Sequence, residues 1–201
     1  MKEPTRQSQK KIIQIQIPIK PKEQNEFPNE INQLEEWTQL KFKQLIFDST
    51  KDNWNKGTSK FDSIILRKEK LVIFIGTNIN DIIIGGFIKR KINFIGKTGD
   101  IDCLIFTNKN NQWNKYMIKK SNKYDPFILH MKQDPKLFSF GNDIIIYKED
   151  MKDQSFVNER NNFFEYGKER NVLLGKIGTF SIKECKLFKW NKQQIQLFFP
   201  F

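Results

Sequence analysis

LVIFIGTNINDIIIGGFIK, from Leu71 to Lys89, places two apolar runs on either side of a polar turn. Leu71, Val72, Ile73, Phe74 and Ile75 follow one another without a polar break, and most are β-branched or aromatic, the signature of a strand covered on both faces. Thr77 to Asp81 supplies turn chemistry, because Asn and Asp tolerate left-handed backbone and cap their own chain. Ile82, Ile83, Ile84, Phe87 and Ile88 then resume the apolar pattern. Gly85 and Gly86 lie inside this second run, where glycine costs entropy and packs nothing. They mark either a bulge or a close approach of another backbone. A central antiparallel hairpin follows.

Upstream, Phe61, Ile64 and Ile65 give a helix running to about Arg67, with Ser59 and Asp62 spaced as a capping box. Phe42 to Phe47 reads as a strand. Ile31, Leu34, Trp37 and Leu40 recur every three residues, which predicts an amphipathic helix over residues 29–40 with Asn29 as its cap. Ile13, Ile15, Ile17 and Ile19 alternate with polar residues and Pro18. That is the pattern of an edge strand, which either joins the sheet or waits for a partner. Met1 to Lys11 is charged and unpatterned, so disorder is expected there, and Lys20 to Phe27 is a linker.

Downstream, the predicted strands are Ile101 to Phe106, Trp113 to Ile118, Phe127 to Leu129 and Asp143 to Tyr147, with Leu137 to Phe140 running into the last of these. Ile92 to Gly99 is a loop or short strand. Glu149 to Arg170 has little periodicity and is expected to be mobile or to carry short turns. Phe180 and Ile182 share one face of a closing strand, Cys185 and Leu187 the other, and Phe188 and Trp190 return to the first, so a bulge is expected within it. Many short strands with few helices predict an α+β fold, a β-sandwich of two antiparallel sheets with a few peripheral helices. Residues 1–28 are then a disordered or edge-strand segment and linker, 29–191 the domain, and 192–201 an apolar tail.

The 201 residues suit one domain, and nineteen Phe residues supply ample apolar bulk. A formal net charge of +12 raises nucleic acid or an anionic membrane as a partner, although Lys, Asn and Ile are abundant together, as codon bias in an AT-rich genome would produce. Only Cys103 and Cys185 are present, which forms no disulfide framework and fits a reducing compartment. No apolar run approaches a membrane span and MKEPTRQSQKK has no hydrophobic centre, so a cytoplasmic location is expected.

Several stretches, taken in order, resemble the TLDc domain, whose members are known as oxidation-resistance proteins. LIFDS, ending at Ser49, resembles the opening strand of that family, followed by a polar loop and a helix holding a Phe, here Phe61. Gly85-Gly86-Phe87 resembles its glycine-rich strand with an aromatic end, and Ile101 to Phe106 stands in the place of its FLF strand. Phe140-Gly141-Asn142 before DIIIY is similar to its glycine-rich step, with Asn142 in place of a second Gly. Phe180 to Trp190 resembles its closing strand, but Lys186 stands where the family carries Glu, followed by Leu187 and Phe188, and Glu184 sits two residues early. The resemblance implies a non-catalytic interaction module, linked to oxidative stress resistance and to binding of the vacuolar proton-pumping ATPase. It covers about Lys41 to Trp190.

No residue set argues for catalysis, a cofactor or a metal. His130 is the sole histidine, without a partner of the kind a triad needs, and Cys103 and Cys185 fall in predicted strands where thiols pack inertly. Gly96-Lys97-Thr98 ends like a P-loop, but Lys91 stands where its first Gly belongs. Asp100 with Asp102, and Glu149, Asp150 with Asp153, lack the spacing of a calcium loop and read as solvated carboxylates. Lys89-Arg90-Lys91 and Lys119-Lys120 are basic clusters, the second close to Trp113 and Tyr116, and carry the alternative reading of nucleic-acid binding. The expected partner is a protein and the expected state a monomer. The tail IQLFFPF concentrates Phe198, Phe199 and Phe201. It either folds back onto the sandwich or docks those rings in a partner's groove.

Overall fold

The computed structural model describes residues 28–161 and 163–192. The Ile13 to Ile19 strand and the apolar tail with Phe198, Phe199 and Phe201 lie outside the described residues.

Among the described residues, twelve strands form two six-stranded sheets, and every pairing is antiparallel. In the first sheet, β1 (Leu40–Asp48), β2 (Leu71–Thr77), β3 (Ile83–Ile88), β5 (Leu104–Lys109), β6 (Gln112–Met117) and β12 (Ile182–Lys192) lie in the order β1, β12, β2, β3, β5, β6. In the second, β4 (Gly96–Thr98), β7 (Phe127–Leu129), β8 (Lys136–Phe140), β9 (Ile144–Tyr147), β10 (Ser155–Val157) and β11 (Gly178–Phe180) lie in the order β11, β10, β9, β8, β7, β4. The expected two-sheet sandwich is the fold, and the closing strand β12 inserts between β1 and β2.

The alternation along β2 explains why its sequence has no polar break. Leu71, Ile73 and Ile75 enter the core between the sheets, while Val72 and Phe74 join a second apolar cluster on the outer face of the first sheet. That outer face is covered by α1 (Pro28–Thr38), which lays Ile31, Leu34 and Trp37 against Phe42, Phe74, Phe188 and Trp190. The helix stops two residues before the predicted end. Gln39 takes a left-handed φ of 56° and donates its N–H to Glu35 O at 2.9 Å, and the chain enters β1.

The two glycines of β3 resolve the choice left open by the sequence, and no bulge is involved. Gly86 faces the inner core, where an added Cβ would lie 2.4 Å from Cζ of Phe140 in the opposite sheet. Gly85 faces outward, where a Cβ would lie 2.0 Å from Ile73 O and 2.5 Å from Phe106 Cζ. Aromatic rings from both sides occupy the space that side chains here would fill.

Other expectations need correction. The second helix is only α2 (Phe61–Ile65), ended by Arg67 at φ 62°, and Ser59 Oγ accepts from Phe61 N at 3.2 Å without a reciprocal capping box. Its Phe61 is no peripheral group, since it is fully buried between Phe47 and Phe138. The IDCLIF strand begins at Leu104, because Asp100 bends the chain by accepting N–H bonds from Lys89, Arg90 and Asp102. Within Glu149 to Arg170 the chain forms 3-10 turns over Glu149–Gln154 and Glu159–Asn161 with β10 between them. The expected closing strand is split, with Phe180 ending β11 in the second sheet and β12 starting at Ile182 in the first; the bulge in β12 falls between Ile182 and Glu184 and turns Ile182 to the same inner core as Cys185 and Leu187.

Candidate functional site

The family-motif positions are built into the frame rather than gathered at one place. Ser49, at the end of β1, locks onto the closing strand: its Oγ accepts from Cys185 N at 2.8 Å and its N–H donates to Cys185 O at 2.9 Å. Phe61 stacks on Phe138 with ring centroids 5.3 Å apart, and Phe180 lies in the same core. Phe87, Phe106 and Phe188 belong to the outer cluster under α1. Gly141 has a φ of +53° and abuts the Phe163 ring, where a Cβ would come to 2.5 Å, so it is fixed by both conformation and space.

Lys186 is buried, a costly position for a cation unless carboxylates flank it. Its Nζ lies 2.9 Å from Glu184 Oε2, and its β1 partner across the sheet is Asp48. Burial raises the Asp48 carboxyl, but hydrogen bonds from Thr50 and Lys51, with the field of Lys186, outweigh it and hold the pKa below the ordinary value. Lys186 is thus accommodated by local charge pairing, with Glu184 two positions earlier supplying one carboxylate.

Groups with chemical potential are engaged elsewhere. Cys103 and Cys185 are fully buried, and burial pushes both thiols up, away from the thiolate that reactivity needs. His130 Nδ1 lies 3.6 Å from Asp134, and burial lowers its pKa below the ordinary value, which favours the neutral ring. Among the described residues, no three His, Cys, Asp or Glu side chains are placed to hold a metal ion. No helix among them is long and apolar enough to cross a membrane. Trp113 and Tyr116 sit three apart on β6 and therefore face opposite ways. Trp113 packs on Phe106 and Trp37, and Tyr116 on Tyr166, so they make no common stacking groove.

Besides Asp100, which is buried rather than solvated, three buried polar groups were missed from the sequence. Asp143 Oδ2 accepts from Phe163 N at 3.0 Å, Phe164 N at 3.3 Å and Tyr166 Oη at 2.9 Å, which pins the 163–166 segment to the start of β9. Glu159 accepts from Val172 N and Leu173 N at 3.0 and 2.7 Å. Lys148 Nζ donates to the carbonyls of Met131, Asp134 and Lys136 and closes the turn before β8. In sequence the polar start of DIIIY hints at Asp143, whereas Lys148 in YKED carries no signal that separates it from a solvated lysine. A cleft of about 530 Å³ opens beside Glu159 and Tyr166, rimmed by Arg160, Lys168, Glu169 and Arg170. Both polar groups at its base are turned to internal partners, so it offers a mixed-charge surface rather than a reactive one.

No family model matches the chain, and no curated protein matches it.

Proposed function

We propose that this chain is a non-catalytic interaction module of the TLDc type, acting as a monomer through a protein partner in resistance to oxidative stress. The observation that carries this reading is the Ser49 latch: a motif serine ends the first strand and clamps the backbone of the closing strand, a structural rather than a chemical use. The same holds for Gly85, Gly86 and Phe61, whose size and position serve the packing of the two sheets. By the resemblance, the partner is the vacuolar proton-pumping ATPase. Any contact that depends on a carboxylate at position 186 is lost here, and Glu184 offers the nearest substitute.

Affinity purification of the full chain from its own cell tests the reading. Recovery of proton-pump subunits, retained by a Ser49→Ala variant that still folds, is the expected result. Recovery of nucleic acid instead, lost steeply as salt rises, would replace this reading with the basic-protein alternative.

A further inference from the structure

We propose that the loop end formed by residues 89–103 and 117–125 is a docking surface for an anionic lipid bilayer. This does not rest on the family resemblance. Among the described residues six large apolar side chains are exposed, and five of them lie on these two segments: Phe94, Ile95, Ile101, Met117 and Tyr124. Tyr124 is 70% exposed and Phe94 61%, values that ordinary packing does not explain.

The loops that carry them are tied together around one buried carboxylate. Asp100 accepts from Lys89 N at 2.6 Å, Arg90 N at 3.0 Å and Asp102 N at 3.1 Å, and its own N–H donates to Lys123 O at 2.9 Å. Ile101 and Tyr124 thereby line one cleft with Arg90 and Lys123, whose Nζ stands 5.2 Å over the Tyr124 ring. The backbone that carries Ile101 and Tyr124 is held in place before any partner arrives, which lowers the ordering entropy that opposes docking.

Charge decides between partners. The two segments carry seven lysines and arginines against three aspartates. Asp100 is buried on backbone N–H groups, Asp102 pairs with Lys89 at 2.8 Å, and Asp125 pairs with Lys97 at 2.7 Å. None of these carboxylates is left for Arg90, Lys91, Lys119, Lys120 or Lys123. Ile101 and Tyr124, set beside Arg90 and Lys123, match the headgroup boundary of an anionic leaflet, where rings and aliphatic chains enter and the cationic heads stay at the phosphates. Each cation near such a surface is worth about fivefold in partition. A nucleic acid could stack on Tyr124 or Phe94 but would leave Ile95, Ile101 and Met117 exposed.

Sedimentation of the full chain with vesicles tests the surface. Mixed phosphatidylcholine and phosphatidylserine vesicles should carry the protein down, and phosphatidylcholine alone should not. Ile101→Ser with Tyr124→Ser, and separately Phe94→Ser with Ile95→Ser, should each weaken partition by roughly tenfold or more while leaving the thermal midpoint unchanged. Lys91→Glu with Lys120→Glu should weaken it further as salt falls. Absence of sedimentation with the mixed vesicles, equal sedimentation with neutral ones, or full binding by both folded apolar variants would overturn the proposal. So would an oligonucleotide bound with the same dependence on Ile101 and Tyr124, which would assign the surface to nucleic acid.

Discussion

Replacing Gly86 by Ala places one methyl group where the Phe140 ring already stands, 2.4 Å from Cζ and 2.5 Å from Cε1. Ordinary carbon contacts need about 3.5 Å or more, so the ring must shift by roughly an ångström in a core that also holds Phe127 and Phe138 around it. Overpacking of this kind costs about 1–3 kcal/mol, or roughly 2–12 °C in melting temperature for a chain of this size. The two nearest obstructing atoms belong to the Phe140 side chain, with Leu104 O next at 3.0 Å, and the larger part of the clash can therefore be relieved. Phe140→Leu alone removes buried ring carbons and costs about 2 kcal/mol. Combined with Gly86→Ala, it should cost at least about 1 kcal/mol less than the two changes summed, because each relieves the other. Gly85→Ala is the contrast. There the nearest atom is the backbone oxygen of Ile73 at 2.0 Å, so no side-chain truncation rescues it and the strands themselves must part. Urea unfolding of the four chains of the Gly86 and Phe140 cycle measures the coupling from shifts in midpoint at constant slope. Strict additivity, or a Gly86→Ala loss below about 0.5 kcal/mol, would refute the close approach of the two sheets at this point.

Lys148→Met should cost about 2–4 kcal/mol in urea unfolding, since the carbonyls of Met131, Asp134 and Lys136 each lose a buried donor. An unchanged midpoint would mean that the ammonium is not the closure of that turn. Burial pushes the Asp143 carboxyl up to about 6, above its ordinary value, so the folded chain holds the proton more tightly than the unfolded one. The stability this adds is complete below about pH 4 and is lost as pH rises through about 6; relative to Asp143→Asn, the natural chain should fall by 2–3 kcal/mol at most over that window, and a flat difference would refute the assignment.

The sheets were legible where a residue's environment follows from its neighbours in sequence. Leu71 to Ile75 betrays burial on both faces because no polar residue interrupts it, and Ile31, Leu34 and Trp37 betray a helix because three-residue spacing puts them on one side. Features set by distant partners were not legible. That Gly86 makes room for Phe140 needs the two sheets face to face, and β10 and β11 are three residues each, too short to show a period. Asp100 and Asp102 look alike in sequence. One is buried as the hub of three loops and the other is exposed in an ion pair, and only the fold separates them.

The same distinction bears on the net charge of +12, which in sequence argues for a polyanionic partner in proportion to its size. Two of those cations, Lys148 and Lys186, are buried and serve carbonyls or carboxylates within the chain, so they present no ammonium to a partner at the surface. Others are matched one to one, as Lys183 is by Asp81 and Lys41 by Glu35. Sign and number therefore decide less than placement does. The cations that bear on partner choice are those of the loop end whose carboxylates are already engaged, and they lie where the exposed apolar side chains gather. A diffuse basic surface would favour any polyanion equally. Arg90 and Lys123 beside Ile101 and Tyr124 favour a partner that can take up charge and hydrocarbon together.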